Sequence, residues 1–160
     1  MHNKNKIYLD TSAYLKAHLD ERGSDNVNSI LDLTTQGSRT KIYMSYWVIA
    51  EAIAVIDRQR HTYKSRRDVL ISTILKLVVD AKPNINVVSV NQNLIKQTIE
   101  YISKYHVSAD DALRLCTANK FRCNYFIAAD SHFMNLRLSN LHVINVQDNM
   151  AINNPLNNLE

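Results

Sequence analysis

The chain has 160 residues, 46% hydrophobic and 21% charged, which is typical of one folded globular domain and excludes a disordered protein. Its net charge of +4 favours an anionic partner, but this excess is too small to indicate nucleic acid by itself. The two cysteines, Cys116 and Cys123, exclude a disulfide framework, and no further Cys or His completes a zinc site at finger spacing.

Segments of strand and helix character alternate along the chain, which is the pattern of a parallel α/β sheet. Strands are predicted at Ile7–Asp10, Ile42–Met44, Asn86–Val90, Tyr125–Ala129 and His142–Val146. Helices are predicted at Ser12–Leu19, Val27–Thr35, Tyr46–Arg60, Arg66–Val79, Gln92–Tyr105 and Ala109–Lys120. The alternation predicts a single domain over residues 1–147. The Asn-rich tail of residues 148–160 is expected to be flexible.

Two acidic residues end apolar strands. Asp10 follows KIYL, and Asp130 follows YFIAA. In an open parallel sheet the binding crevice lies at the carboxyl ends of the strands, so both side chains are expected to face one crevice. Each also has an ordinary structural explanation, because an aspartate at this point can simply cap the helix or turn that follows.

Two further acids lie on predicted helices among apolar neighbours. Glu51 is the only charge in WVIAEAIAVI, and Asp111 shares a helical stripe with Leu115 and Ala118. The neighbouring Asp110 falls on a polar stripe and is predicted to form an ordinary surface pair with Arg114. For Asp111 an alternative stays open, because Ser108 is a predicted N-cap and acidic residues suit a helix N-terminus.

Four carboxylates at inward-facing positions predict a cation site. Burying an unpaired charge is costly, and two like charges 4 Å apart repel by about 4 kcal/mol at an effective dielectric near 20. A divalent cation removes this penalty, and oxygen ligands without Cys or His select Mg²⁺ or Mn²⁺. We therefore expect Asp10 as the central ligand, with Asp111 and Asp130 beside it and Glu51 on a second ion or acting through water.

The four acidic segments resemble the motifs of PIN-domain nucleases, most closely the small VapC-type ribonuclease toxins of toxin–antitoxin pairs. They are DTS from Asp10, SYWVIAE ending in Glu51, DALRLCTA from Asp111, and IAAD ending in Asp130. The resemblance spans about residues 6–147. It implies a three-layer α/β/α fold, in which helices flank a central, mostly parallel sheet of about five strands, and a catalytic metal site at these four acids. Ala128-Ala129 replaces the hydroxyl residue that often precedes the last acid in the family.

The resemblance implies a Mg²⁺- or Mn²⁺-dependent endoribonuclease that hydrolyses RNA phosphodiester bonds. Thr11 or Ser12 is expected to orient Asp10 or the attacking water, whereas a general-base role for His132 is disfavoured. Tyr46 and Trp47 are predicted in the core. The resemblance also implies a homodimer and a cognate antitoxin, whose arginine or lysine would displace the metal.

A basic stretch follows the helix of Glu51 and is a candidate RNA-binding rim. Its members are Arg58, Arg60, Lys64, Arg66 and Arg67. Phosphate contacts from such a rim would give affinity without sequence readout. The alternative is a solvated surface between two helices, which Asp57 and Asp68 at its ends support.

Other classes of protein remain as alternatives. A housekeeping RNA-processing or DNA-cleaving PIN nuclease fits the same acids, as does a non-catalytic PIN-like binding module. A haloacid-dehalogenase phosphatase is disfavoured because Ser12 stands where a second aspartate is needed, and a receiver domain because its acids would cluster near the N-terminus. The polar N-terminus shows no signal peptide, and the longest apolar stretch is too short to span a bilayer, so a cytoplasmic protein is expected.

Overall fold

The computed structural model describes residues 5–33, 39–79 and 84–149. Its strands form one five-stranded sheet in the order β3-β2-β1-β4-β5, in which every neighbouring pair is parallel. The strands are β1 Lys6–Leu9, β2 Lys41–Ser45, β3 Ile85–Val88, β4 Tyr125–Ala128 and β5 His142–Asn145. The predicted α/β/α fold with a mostly parallel sheet is therefore confirmed, and all of these strands are parallel.

Seven helices accompany the sheet in the described residues. They are α1 Thr11–Lys16, α2 Ser24–Asp32, α3 Tyr46–Arg58, α4 Arg60–Tyr63, α5 Arg66–Val79, α6 Gln92–Tyr105 and α7 Ala109–Lys120. The sequence predicted six of them, and α5, α6 and α7 begin and end where predicted. It missed the single-turn α4 and a 3-10 turn at Ser131–Asn135. The predicted helix end at Thr35, and residues 150–160 of the predicted tail, lie outside the described residues.

The central strand β1 and its neighbour β4 are buried inside the sheet. Each has three successive buried residues, Ile7–Leu9 in β1 and Phe126–Ala128 in β4, as expected for a parallel strand covered on both faces. Tyr8 and Phe126 are register partners, and their rings stack with centroids 5.4 Å apart. This packing places the carboxyl ends of β1 and β4 side by side.

Side-chain caps determine where the helices that carry the acids begin. Ser45 accepts a hydrogen bond from the Val48 amide at the start of α3, and Ser108 accepts one from the Asp111 amide at the start of α7. Helix α7 packs against α6 and contacts β2, and it is buried continuously from Asp111 to Ala118. Among the described helices none is long and apolar enough to cross a membrane.

Candidate active site

Asp10 is fully buried directly after β1 and is held by the residues that follow it. Its Oδ2 accepts hydrogen bonds from the Ser12 amide (3.1 Å) and the Ser12 hydroxyl (2.7 Å). The Ser12 Oγ in turn accepts a hydrogen bond from the Ala129 amide at 2.9 Å. Ser12 therefore links the ends of β1 and β4. It is one of the two residues that the sequence predicted to orient Asp10, and it donates to the Asp10 carboxylate.

Glu51 projects from the second turn of α3 with 24% of its side chain exposed. Its Oε2 accepts a hydrogen bond from the Thr11 hydroxyl, so Thr11 orients Glu51 and not Asp10. One turn earlier on the same helix, Tyr46 and Trp47 are 46% and 45% exposed. Their predicted place in the core is wrong, because both lie on the outer face of the first turn of α3, whose other residues, Val48 and Ile49, are buried.

Asp111 is buried in the first turn of α7. Its backbone N–H donates to the Ser108 hydroxyl, while its carboxylate lies between two basic side chains: Oδ1 lies 2.9 Å from Arg114 and Oδ2 lies 3.1 Å from Nε2 of His132. The capping role and the site role therefore coexist, because the cap uses only the backbone amide of Asp111. His132 contacts the site through Asp111 with its side chain half exposed.

Arg114 lies at the centre of the cluster and not on the surface where the sequence placed it. The predicted pair with Asp110 exists, with Nη2 at 2.6 Å from Oδ2. The guanidinium, however, is only 6% exposed and also contacts Asp10 (2.9 Å), Asp111 (2.9 Å) and Glu51 (3.6 Å). The prediction that Arg114 lies on a polar surface is wrong, because α7 is buried around residue 114. A signal was available: an arginine three residues after Asp111 lies only about 60° away on the helix.

The carboxylates of Asp10, Glu51 and Asp111 share one arrangement. In each, one oxygen is held by a neighbouring side chain, which is Ser12, Thr11 or His132 respectively. The other oxygen of each, Oδ1 of Asp10, Oε1 of Glu51 and Oδ1 of Asp111, faces the guanidinium of Arg114. The three inward oxygens therefore converge on one positive charge.

The electrostatics of this centre keep Arg114 charged. Burial lowers the pKa of Arg114, but the carboxylates of Asp10 and Glu51 more than reverse this effect, so its pKa lies above the ordinary value. Burial also acts to raise the pKa of Asp110, but the Ser108 hydrogen bond and the charge of Arg114 outweigh it, so that pKa lies below its ordinary value. The guanidinium is thus the counter-charge for several acids at once.

Asp130 follows β4 at the same edge of the sheet, but its side chain is exposed and makes no capping hydrogen bond to the 3-10 turn that follows. Its carboxylate is not one of the four that Arg114 contacts. The structure thus brings together three of the four predicted ligands, Asp10, Glu51 and Asp111. The place of Asp130 in the site stays a prediction.

The donor chemistry of the cluster suits a hard divalent cation, since it consists of carboxylate oxygens. Within residues 5–33, 39–79 and 84–149, however, no three Asp, Glu, His or Cys side chains are grouped so that they hold a metal ion. The guanidinium of Arg114 lies between the acids instead. The carboxylate ligands therefore fit Mg²⁺ or Mn²⁺ chemically. In this structure they are arranged around the guanidinium of Arg114.

The basic stretch divides into two kinds of residue. Arg67 donates hydrogen bonds to Asp57, at 3.0 Å from Nε, and to Asp68. The bond to Asp57 joins the start of α5 to the end of α3. The remaining members are exposed: Arg58, Arg60, Lys64 and Arg66. Arg67 therefore has a structural role in keeping with the alternative explanation, and the other four stay available for a polyanion.

The protein has an α/β fold with a sheet of five parallel strands. Carboxylates follow β1 and β4 at the edge of the sheet where an open parallel sheet forms its binding crevice. The family model for the PIN domain matches residues 7–137. The chain belongs to the PIN-domain family, as the four acidic motifs indicated. A comparison with curated proteins gave no match.

Solved structures share this fold at low sequence identity. The VapC20 toxin of Mycobacterium tuberculosis, described as cleaving the sarcin-ricin loop, is 14% identical with a TM-score of 0.63, covering 80% of this chain and 92% of that one. VapBC2 of Rickettsia felis, bound to a promoter DNA fragment, is 14% identical with a TM-score of 0.61, covering 88% and 98%. A toxin–antitoxin complex from Klebsiella pneumoniae is 15% identical with a TM-score of 0.53, covering 84% and 94%.

Proposed function

We propose that this protein is a Mg²⁺- or Mn²⁺-dependent endoribonuclease and the toxin of a toxin–antitoxin pair. One observation carries the proposal. In a PIN-domain chain, the inward oxygens of Asp10, Glu51 and Asp111 converge on one positive charge beside the carboxyl end of β1. Such a cluster is what a hard cation requires when a phosphodiester is hydrolysed.

Asp10, Glu51 and Asp111 would hold the ion, with Asp130 at the exposed side. When bound, the ion supplies Lewis acidity and neutralises charge on the phosphate. The residues of the chain do the positioning. Ser12 and Thr11 each donate a hydrogen bond to one carboxylate oxygen, and His132 lies 3.1 Å from one oxygen of Asp111, which leaves the other oxygen of each acid directed inward.

The surface beside the acids suits an unpaired RNA strand. Trp47 is exposed one turn before Glu51 on α3, and a base can stack on its ring. At the other end of α3 lie the exposed Arg58 and Arg60, which would contact phosphates. This placement supports RNA as the substrate, as does the cleavage of the sarcin-ricin loop given for the VapC20 neighbour.

A cognate antitoxin and a second copy of the chain are the proposed protein partners. The fold neighbours from Rickettsia felis and Klebsiella pneumoniae were solved as toxin–antitoxin complexes, which supports an antitoxin here. A basic side chain of that antitoxin would be attracted to the same carboxylates. Cleavage of RNA distinguishes the enzyme from a non-catalytic module, and a small antitoxin gene beside the gene for this chain distinguishes a toxin from a housekeeping nuclease.

The test is cleavage of RNA by the full chain with Mn²⁺, with EDTA, and after Asp10→Asn. We expect cleavage that EDTA abolishes and that Asp10→Asn lowers by roughly 100-fold or more, because the substitution removes a central charge of the site. Asp20→Asn is the matched control, since Asp20 is an exposed acid in the loop before α2, and it should cut like wild type. Cleavage of DNA only would favour the DNA-cleaving alternative. If neither RNA nor DNA is cleaved, the proposed nuclease activity is refuted.

A further inference from the structure

We propose that Arg114 is a built-in competitor of the divalent cation. Its guanidinium occupies the point where the inward oxygens of Asp10, Glu51 and Asp111 converge, and it leaves these oxygens when the ion binds. This inference rests on the metal site of the proposed function and adds to it a residue of the same chain that sets the metal affinity.

The hydrogen bonds of Asp10 show that the guanidinium and the ion need the same atom. Two donors of Ser12 already use Oδ2, at 3.1 and 2.7 Å. A carboxylate oxygen offers two lone pairs, so Oδ2 is filled. The free acceptor of this fully buried side chain is Oδ1, and Arg114 Nη1 donates to it at 2.9 Å.

The same division recurs at the other two acids. Oδ2 of Asp111 lies against His132, and Oδ1 lies 2.9 Å from Arg114 Nη2. Thr11 donates to Oε2 of Glu51, and Oε1 lies 3.6 Å from the same Nη2. A Mg²⁺ ion takes its oxygen ligands at about 2.0–2.1 Å. An ion bound to these inward oxygens would therefore stand against the guanidinium nitrogens.

Charge makes joint occupancy unfavourable. At a given separation a divalent ion and a guanidinium repel twice as strongly as two unit charges do. The site is mostly closed to water, since Arg114 is 6% exposed and Asp10 is 0% exposed, so this repulsion is screened less than at the surface.

The displaced guanidinium has a partner to which it can move. Asp110 is 42% exposed, lies 2.6 Å from Nη2, and its backbone oxygen accepts from Nε at 3.2 Å. Arg114 can therefore rotate outward, keep Asp110, and release the three inner carboxylates. The guanidinium thus neutralises the three carboxylates until an ion binds to them, and it does not prevent that binding.

The first experiment measures Mn²⁺ binding by calorimetry to the full-length wild type and to Arg114→Met, which keeps much of the length of the side chain without its charge. Competition predicts about tenfold tighter binding by the variant, because the ion no longer displaces a cation. Arg67→Met is the matched control, an arginine paired with Asp57 and Asp68 instead, and its affinity should equal that of wild type. Equal or weaker binding by Arg114→Met would overturn the competition.

A second experiment needs no variant and so stands even if Arg114→Met fails to fold. The side-chain Nε–Hε signals of arginine are followed by NMR while Mg²⁺ is added to the wild type. We expect the Arg114 signal to shift or broaden in step with the Asp10 amide, while that of Arg67 stays fixed. An unchanged Arg114 signal beside a shifted Asp10 amide would overturn this inference alone. If neither responds, and Arg114→Met also binds no ion, the metal site of the proposed function fails with it.

Discussion

Two adjacent hydroxyls decide the orientation of two different acids. Ser12 holds Asp10, whereas Thr11 holds Glu51 from another helix. Both follow from the geometry of the first turn of α1, where consecutive residues point about 100° apart. The pair is thus a positioning device that lies between β1 and α3.

Replacing Ser12 with alanine removes the hydroxyl that bridges the Asp10 carboxylate and the Ala129 amide. We expect a loss of about 1–2 kcal/mol in the free energy of unfolding, because a part-buried donor and acceptor are left without their partner. RNA cleavage should fall by about 10–100-fold, as for other residues that orient metal ligands. The measurements are denaturant unfolding and initial cleavage rates.

The control is Ser29→Ala, because that exposed hydroxyl donates to the Asp25 carbonyl within α2. It should change neither quantity by a comparable amount. If Ser12→Ala cleaves RNA as fast as Ser29→Ala does, Ser12 supports the fold alone and does not position Asp10.

At the scale of elements, the α3–α5 connection combines a structural arginine with exposed basic residues. Replacing both Arg60 and Arg66 with alanine should weaken binding of single-stranded RNA. It should also reduce the slope of log affinity against log salt by about 0.7 for each phosphate that is no longer neutralised. Arg67→Ala should leave that slope nearly unchanged, because its guanidinium is engaged by Asp57 and Asp68. Filter binding at several salt concentrations measures both, and an unchanged slope in the double variant would exclude this rim from RNA binding.

The same connection carries a pH-dependent stabilisation. The hydrogen bond from Arg67, and then its charge, hold the pKa of Asp57 below the ordinary carboxyl value. Because the pKa of Asp57 is lower in the folded state, its pair with Arg67 stabilises the fold above the unfolded-state pKa near 4. This stabilisation is lost as the pH falls through the folded-state pKa. We expect Asp57→Asn to lower the melting temperature at pH 7, and the difference from wild type to vanish in stronger acid. A difference that persists unchanged at low pH would contradict this origin.

Most of the elements were predictable from the sequence, whereas the centre of the site was not. Apolar runs such as KIYL and YFIA mark buried parallel strands, and Ser108 marks the start of α7. Periodicity placed Asp111 correctly because its stripe with Leu115 is apolar. It was ambiguous for Arg114, which lies about 40° from Asp110 and about 60° from Asp111 on the helix, because a helical wheel does not give what packs against that face. The exposure of Trp47 was missed for the same reason.

At the scale of the whole molecule, the acidic centre is assembled from parts that are distant in sequence. Asp10 follows β1, Glu51 lies on α3 and Asp111 on α7, so only the folded chain brings their inward oxygens together. A ligand that binds the folded state alone stabilises it by mass action. The proposed metal site is therefore expected to be thermodynamically linked to the fold.

Mn²⁺ is accordingly expected to raise the melting temperature of the wild-type chain. At about 100 times its dissociation constant the ion would add about 2.7 kcal/mol to the free energy of unfolding. For a chain of this size that corresponds to roughly 5–10 °C. Asp10→Asn should abolish most of the shift, whereas Asp20→Asn should keep it, because Asp20 lies outside the cluster. Thermal unfolding at a series of Mn²⁺ concentrations measures the effect. If Asp10→Asn gained as much stability as wild type, the ion would bind elsewhere, and these carboxylates would need no metal to account for their arrangement around Arg114.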